Sequence, residues 1–138
     1  MAPDEARTED VRAWLQKAAL DLRAAEHGMS APEACLRSDV VFHAQQAAEK
    51  AFKAFLAWHD VPFRKTHNLE ELGRACVSID ATLRAIVDRA APLTEYAWRF
   101  RYPGEPSEPS REEADEALNT AREALEVLGS RLPKNVQP

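Results

Sequence analysis

Apolar residues recur along most of this chain at the three-and-four spacing of helices. Val11, Trp14, Leu15, Ala18, Leu22 and Ala25 form one such face, with Thr8 as the expected N-cap, Glu9 and Asp10 in the first turn, and Gly28 as the stop. A connector, GMSAPEACLR, carries turn residues and a proline. The next helix is predicted from about Ser38 to Trp58, with Val41, Ala44, Ala48, Ala51, Phe55 and Trp58 inward and Phe52 widening the apolar face. Its alanines permit close helix approach, as in the central member of a bundle.

Pro62 breaks the pattern, and Asn68 followed by Glu71 predicts a reciprocal cap opening a short helix to about Val77. Asp80 caps a fourth helix whose inward face is Leu83, Ile86, Ala90, Leu93, Ala97 and Phe100, with a kink expected between Asp88 and Pro92. YPGEPSEPS reads as an exposed loop. Ser110 with Glu113 is the capping box of a last helix carrying Ala114, Ala117, Leu118, Ala121, Leu125, Leu128 and Leu132. The predicted architecture is all-α: an up-and-down four-helix bundle with one additional short helix, in one domain spanning 1–138 with its core at about 8–132.

Composition narrows the function. Hydrophobic residues make up 45% and charged residues 30%, with only 4 glycines, which suits a helical globular chain. A net charge of −5 argues against coating duplex DNA by bulk positive charge, although local basic patches remain open. The opening MAPDEARTED lacks the order of a secretory signal, and no apolar run approaches the roughly 20 residues of a membrane span, so a cytoplasmic location is expected. Cys35 and Cys76 have neither CxxC spacing nor a close partner, and are read as inert thiols. No His follows a Glu by three positions, and HExxH and phosphate-cradling glycine loops are missing, so neither metal nor cofactor is expected.

Three clusters carry candidate chemistry. Asp39, His43, Gln46, Lys50 and Lys53 fall on one edge of the second helix. They form either a solvated edge, with Glu49 and Lys53 paired, or an anion-holding row; Lys53 is assigned to solvent. In FRKTHNL, Arg64, Lys65 and His67 precede a helix N-terminus that could hold a phosphate, or are simply exposed loop charges. In YAWRFRYPG, Tyr96, Trp98, Phe100 and Tyr102 alternate with Arg99 and Arg101, which suits a base and its phosphate. The alternative puts Tyr96 and Phe100 in the core and uses the arginines to neutralise terminal carbonyls.

FHAQQAAEKAFKAFLAWHDVPFRKTHNLEEL with the downstream LTEYAWRFRYP resembles the HEPN family, the higher eukaryote and prokaryote nucleotide-binding domains, over most of the chain. The resemblance implies a helical bundle with a short extra helix, a homodimer, and work beside a minimal nucleotidyltransferase as a toxin–antitoxin or nucleotide-transfer pair. It implies a nucleotide- or RNA-facing surface at His43, Gln46, Lys50, Lys65, His67, Arg99, Arg101 and Tyr102, or else dimer contacts at those positions. Ribonuclease members pair an Arg with a His four to six intervening residues later. Only Arg37 and His43 fit that spacing, the weaker candidates for a metal-independent cleavage; a purely structural assembly role is the third reading.

Overall fold

The computed structural model describes residues 2–104 and 108–138, apart from the Cys35 side chain. Five α-helices stand among them: α1 (Pro3–Ser30), α2 (Arg37–Trp58), α3 (Leu69–Ile79), α4 (Arg84–Ala90) and α5 (Arg111–Ser130). Short 3-10 segments cover Ala34–Leu36, Ala81–Leu83, Ala91–Ala97 and Lys134–Val136. The all-α class stands as read from the sequence. Helix α1 packs along α2, α5 covers α2 from another side, and α3 with the 91–97 segment closes over what remains. Positions 105–107 of the expected loop, and the Cys35 thiol, lie outside the described residues.

Three caps read from the sequence are present. Asn68 accepts from the N–H groups of Glu70 and Glu71, Asp80 from Thr82, and Ser110 from Glu113. Each side-chain oxygen satisfies helix donors that have no intrahelical partner. The reciprocal halves are spent elsewhere: Glu71 forks onto Arg64, and Glu113 accepts from the Tyr96 hydroxyl.

The first helix begins five residues before the predicted cap. Pro3, with its preset φ and absent N–H, opens it, and Asp4 and Glu5 occupy the first turn. Thr8 is therefore interior, its hydroxyl bonded back to the Asp4 carbonyl at 2.8 Å. Gly28 does not end the helix either, since α1 runs to Ser30. Its lack of a side chain serves packing, because a Cβ there would stand 2.8 Å from a Val40 methyl of α2. The fourth helix is α-helical only to Ala90 and continues as 3-10 turns from Ala91, in the region where Pro92 has no N–H to donate to Asp88. Phe100 lies beyond its end, half-buried, at φ +69°.

Helix α2 departs most from expectation. The sequence suggests one inward face, yet Val40, Ala47, Ala54 and Leu56 are as buried as Val41, Ala44, Ala48, Ala51, Phe52 and Phe55. Neighbours on nearly every side enclose it, and its alanines let them approach. Trp58, predicted inward, is half-buried under the Arg7 guanidinium, 4.6 Å from its ring centroid.

The contact of α3 with α4 is tight at Gly73, where a Cβ would collide with a methyl of the stiff, β-branched Val87. Gly73→Ala should destabilise the fold by about 1–3 kcal/mol, read as a lower urea midpoint at unchanged m.

Candidate functional site

Enclosing α2 forces its polar residues either into the core or onto the helix borders. At one border, Asp21 of α1 receives two groups that stand two turns apart on α2. Its Oδ1 lies 2.9 Å from His43 Nδ1, and its Oδ2 accepts from Lys50 Nζ. Burial opposes the Asp21 carboxylate, but the bonds from His43 and Lys50 and the nearby ammonium outweigh it, so its pKa lies below the ordinary carboxylate value. No sequence motif marks Asp21. It stands just before Leu22 at the edge of the apolar face of α1, where an acid is half-committed to the core and needs a partner.

At the other border Glu49 is buried. Its Oε2 accepts from Lys53 Nζ at 2.8 Å, and its Oε1 lies 2.7 Å from His67 Nδ1 and takes Gln45 Nε2 at 3.1 Å. Gln46 Nε2 reaches Gln45 Oε1 at 2.6 Å, and Gln45 also holds the His67 carbonyl at 3.1 Å. Desolvation again works against the carboxylate, and its hydrogen bonds from Lys53, His67 and Gln45 again bring the pKa down. Lys53, assigned to solvent from the sequence, is buried: its ammonium sits 5.5 Å from the Trp14 ring centroid and 5.7 Å from that of Phe63. The predicted Glu49–Lys53 pair exists, but as an internal ion pair.

Beyond α4, the left-handed Phe100 turns the chain so that its two flanking arginines part. Arg99 pairs with Glu95 at 2.8 Å and nears Glu113 at 3.6 Å. Arg101 reaches back to the start of α2, 3.2 Å from Asp39 Oδ1 and 3.8 Å above the Phe42 ring. Tyr96 is in the core, as one of the two readings had it, while Trp98 and Tyr102 are exposed. The start of α3 does not offer its donors to an anion. Leu69 N–H is bonded to Thr94 Oγ1, and Asn68 takes the next two.

The structure thus brings Arg101, His43 and Lys50 onto one border of α2 and sets His67, Gln46 and Glu49 beside the next. Lys65 is exposed in the loop. Arg37 and His43 share no hydrogen bond, and six helical steps turn their side chains about 120° apart. His43, Gln46, Lys50, Lys65, His67 and Arg101 form a surface strip, with Glu49 buried beneath it. A groove of about 680 Å³ opens elsewhere, between Arg7 and Asp10 of α1 and Ala57 to Phe63. Among the described residues no group of three or more His, Cys, Asp or Glu is placed to hold a metal ion, and no helix is long and apolar enough to cross a membrane. The Cys76 thiol is buried and its pKa pushed up to about 12, which keeps it protonated and unreactive.

A HEPN domain family model matches residues 11–132. This chain belongs to the HEPN family. It is similar to the protein TT1696 from Thermus thermophilus, with a TM-score of 0.75 and 29% identity over 90% of this chain and 99% of that one. It is also similar to an archaeal HEPN homologue, with a TM-score of 0.67 and 26% identity over 88% and 96% of the two chains. No protein of curated function matches it. HEPN membership makes this a nucleotide- or RNA-related module, in a family whose members are often dimers.

The Glu49 network should dominate acid sensitivity. The ordinary values for Asp21 and Glu49 are 3.8 and 4.5, and folding lowers both. Their contribution is complete above those values and lost as pH falls through the depressed ones, because protonation then costs the folded state more than the unfolded chain. Glu49→Gln should leave Lys53 buried without its counter-charge and cost about 3–5 kcal/mol at pH 7. Thermal unfolding between pH 7 and pH 3 should show a shallower acid limb in the variant.

Proposed function

We propose that this HEPN chain is a nucleotide- or RNA-binding module, acting across residues 1–138 as one unit, that pairs with a second copy of itself and works beside a minimal nucleotidyltransferase. The observation that carries the binding surface is the gathering of polar groups from three separate segments along α2. His43, Gln46 and Lys50 come from the helix, and His67 from the loop that follows it is tied to it through Glu49. Arg101 arrives from a segment 62 residues downstream of Asp39. The exposed ring of Tyr102 stands next in the chain to Arg101, which offers a stacking face beside a guanidinium group, while Arg99, held by Glu95, stands apart from this strip. Lys65 adds an exposed cation on the same loop as His67.

None of this surface requires a metal or a cofactor for binding, because backbone phosphates are recognised by cationic donors alone. Homodimerisation and the nucleotidyltransferase partner rest on family membership, and the exposed Trp98 and Tyr102 supply apolar area that either contact could cover.

The test is calorimetric titration of the purified protein with short single-stranded RNA and with ATP, chelator present. Arg101→Ala should weaken binding about tenfold or more, as expected for losing one charge-assisted contact, while thermal stability changes little because its partner Asp39 is exposed. Affinity equal to the parent for both ligands would remove Arg101 from the surface, and no binding by the parent protein would reject the reading. Light scattering should return twice the chain mass.

A further inference from the structure

Two clusters beside α2 share one composition. Each has a carboxylate, a lysine and a histidine, and in each the histidine meets the carboxylate through Nδ1: Asp21 with Lys50 and His43, and Glu49 with Lys53 and His67. An imidazole bonded at Nδ1 to a carboxylate has its tautomer and ring plane fixed, and Nε2 is the nitrogen left for another partner. The lysines are poorly placed to meet a ligand. Their side chains are only 21% and 8% exposed and their charges are already opposed, whereas His43 and His67 are 33% and 59% exposed.

The charge balance follows from that arrangement. Within each cluster the carboxylate and the ammonium cancel, so the imidazole alone decides whether the cluster is neutral or carries one positive charge. The carboxylates stay ionised through the whole range in which an imidazole titrates, since their hydrogen bonds hold them below the ordinary carboxylate value.

Other charges near His43 come from Asp39 on α2 and from Arg101, which are paired with each other. Near His67 are Lys65 of the same loop, and Arg64 with Glu71 of α3, also paired. Apart from Lys65, these neighbours cancel pairwise and leave the two imidazoles as the variable charges.

We infer that His43 and His67 are the phosphate-contacting donors of this surface, each giving Nε2–H to a phosphate of the bound nucleotide or RNA strand, with a proton taken up from solvent as each contact forms. Asp21 and Glu49 are positioning residues that orient the rings. This rests on the binding reading above and makes it specific: the ligand is held by imidazolium groups, while Lys50 and Lys53 hold the carboxylates in place.

The probe needs a fixed charge of its own. Single-stranded oligouridylate suits, since neither its phosphodiesters nor its bases titrate in the range where an imidazole does, and 3′,5′-cyclic uridine monophosphate is the single-phosphate counterpart. Calorimetry of the full chain, in two buffers of different ionisation enthalpy, reads affinity and proton uptake together. Binding should tighten between pH 8 and pH 6 by up to about tenfold per imidazole, the gain from making one phosphate contact charge-assisted. Uptake should peak at about half a proton for each, the most that a tenfold coupling allows. His43→Gln and His67→Gln, which keep a donor for the carboxylate, should each remove one part of that dependence, and the double variant should bind with no pH dependence; far-ultraviolet circular dichroism checks that they fold.

Proton-linked binding of the oligonucleotide alone assigns the site to a strand, and the same linkage with the cyclic mononucleotide assigns it to a single phosphate. Oligouridylate binding that is equal at pH 6 and pH 8 without proton uptake overturns the inference and leaves the binding module standing. Linkage that survives in the double variant overturns it as well, and absence of binding at either pH removes both.

Discussion

Nearly every side of α2 is covered, and that enclosure dictates the rest of the molecule. Close neighbours require small side chains, which the alanines supply, but Gln45, Glu49 and Lys53 lie on the same helix and are buried with them. A carboxylate removed from water is costly unless opposite charge and hydrogen bonds surround it. Lys53, Gln45 and His67 provide these for Glu49. Because His67 is outside the helix, satisfying an internal charge also anchors the loop leading into α3. The same bonds that make the core tolerable therefore fix a surface imidazole.

Local features of this fold were legible in the sequence because they depend on neighbours a few positions away. The caps at Asn68, Asp80 and Ser110, the break at Pro92 and the Glu49–Lys53 spacing are of this kind. What escaped depended on distant partners. Lys53 looks solvated until Trp14 and Phe63 are folded over it, and Gly28 looks like a stop until Val40 is brought against it. Thr8 looks like a cap only while Pro3, a sufficient helix opener, is left out of account. The motif residues of the candidate surface follow from their resemblance to the family, whereas Asp21 belongs to none of those motifs and is visible only through what it holds.

The two arginines after α4 show how one backbone conformation sends neighbouring side chains to different partners. Phe100 at φ +69° occupies a region that side chains other than glycine rarely adopt. Its ring stacks near Tyr96, with centroids 6.4 Å apart, while Arg99 lies over its face at 4.5 Å. Those contacts support the turn that aims Arg101 at Phe42 and Asp39. A chain continuing helically through this point would have lacked the turn that brings Arg101 back against Asp39 and Phe42.

Asp21 also acts as a ruler. Its two oxygens reach groups seven residues apart on α2, about 10.5 Å along the axis, so α1 must be seated where one carboxylate spans both. Sliding the hairpin by a single turn would forfeit one partner or the other. Alignment of the two longest helices is thus set from within their shared seam, which frees the Ser30-to-Arg37 connector to gain or lose residues over evolutionary time without displacing the polar strip beside α2.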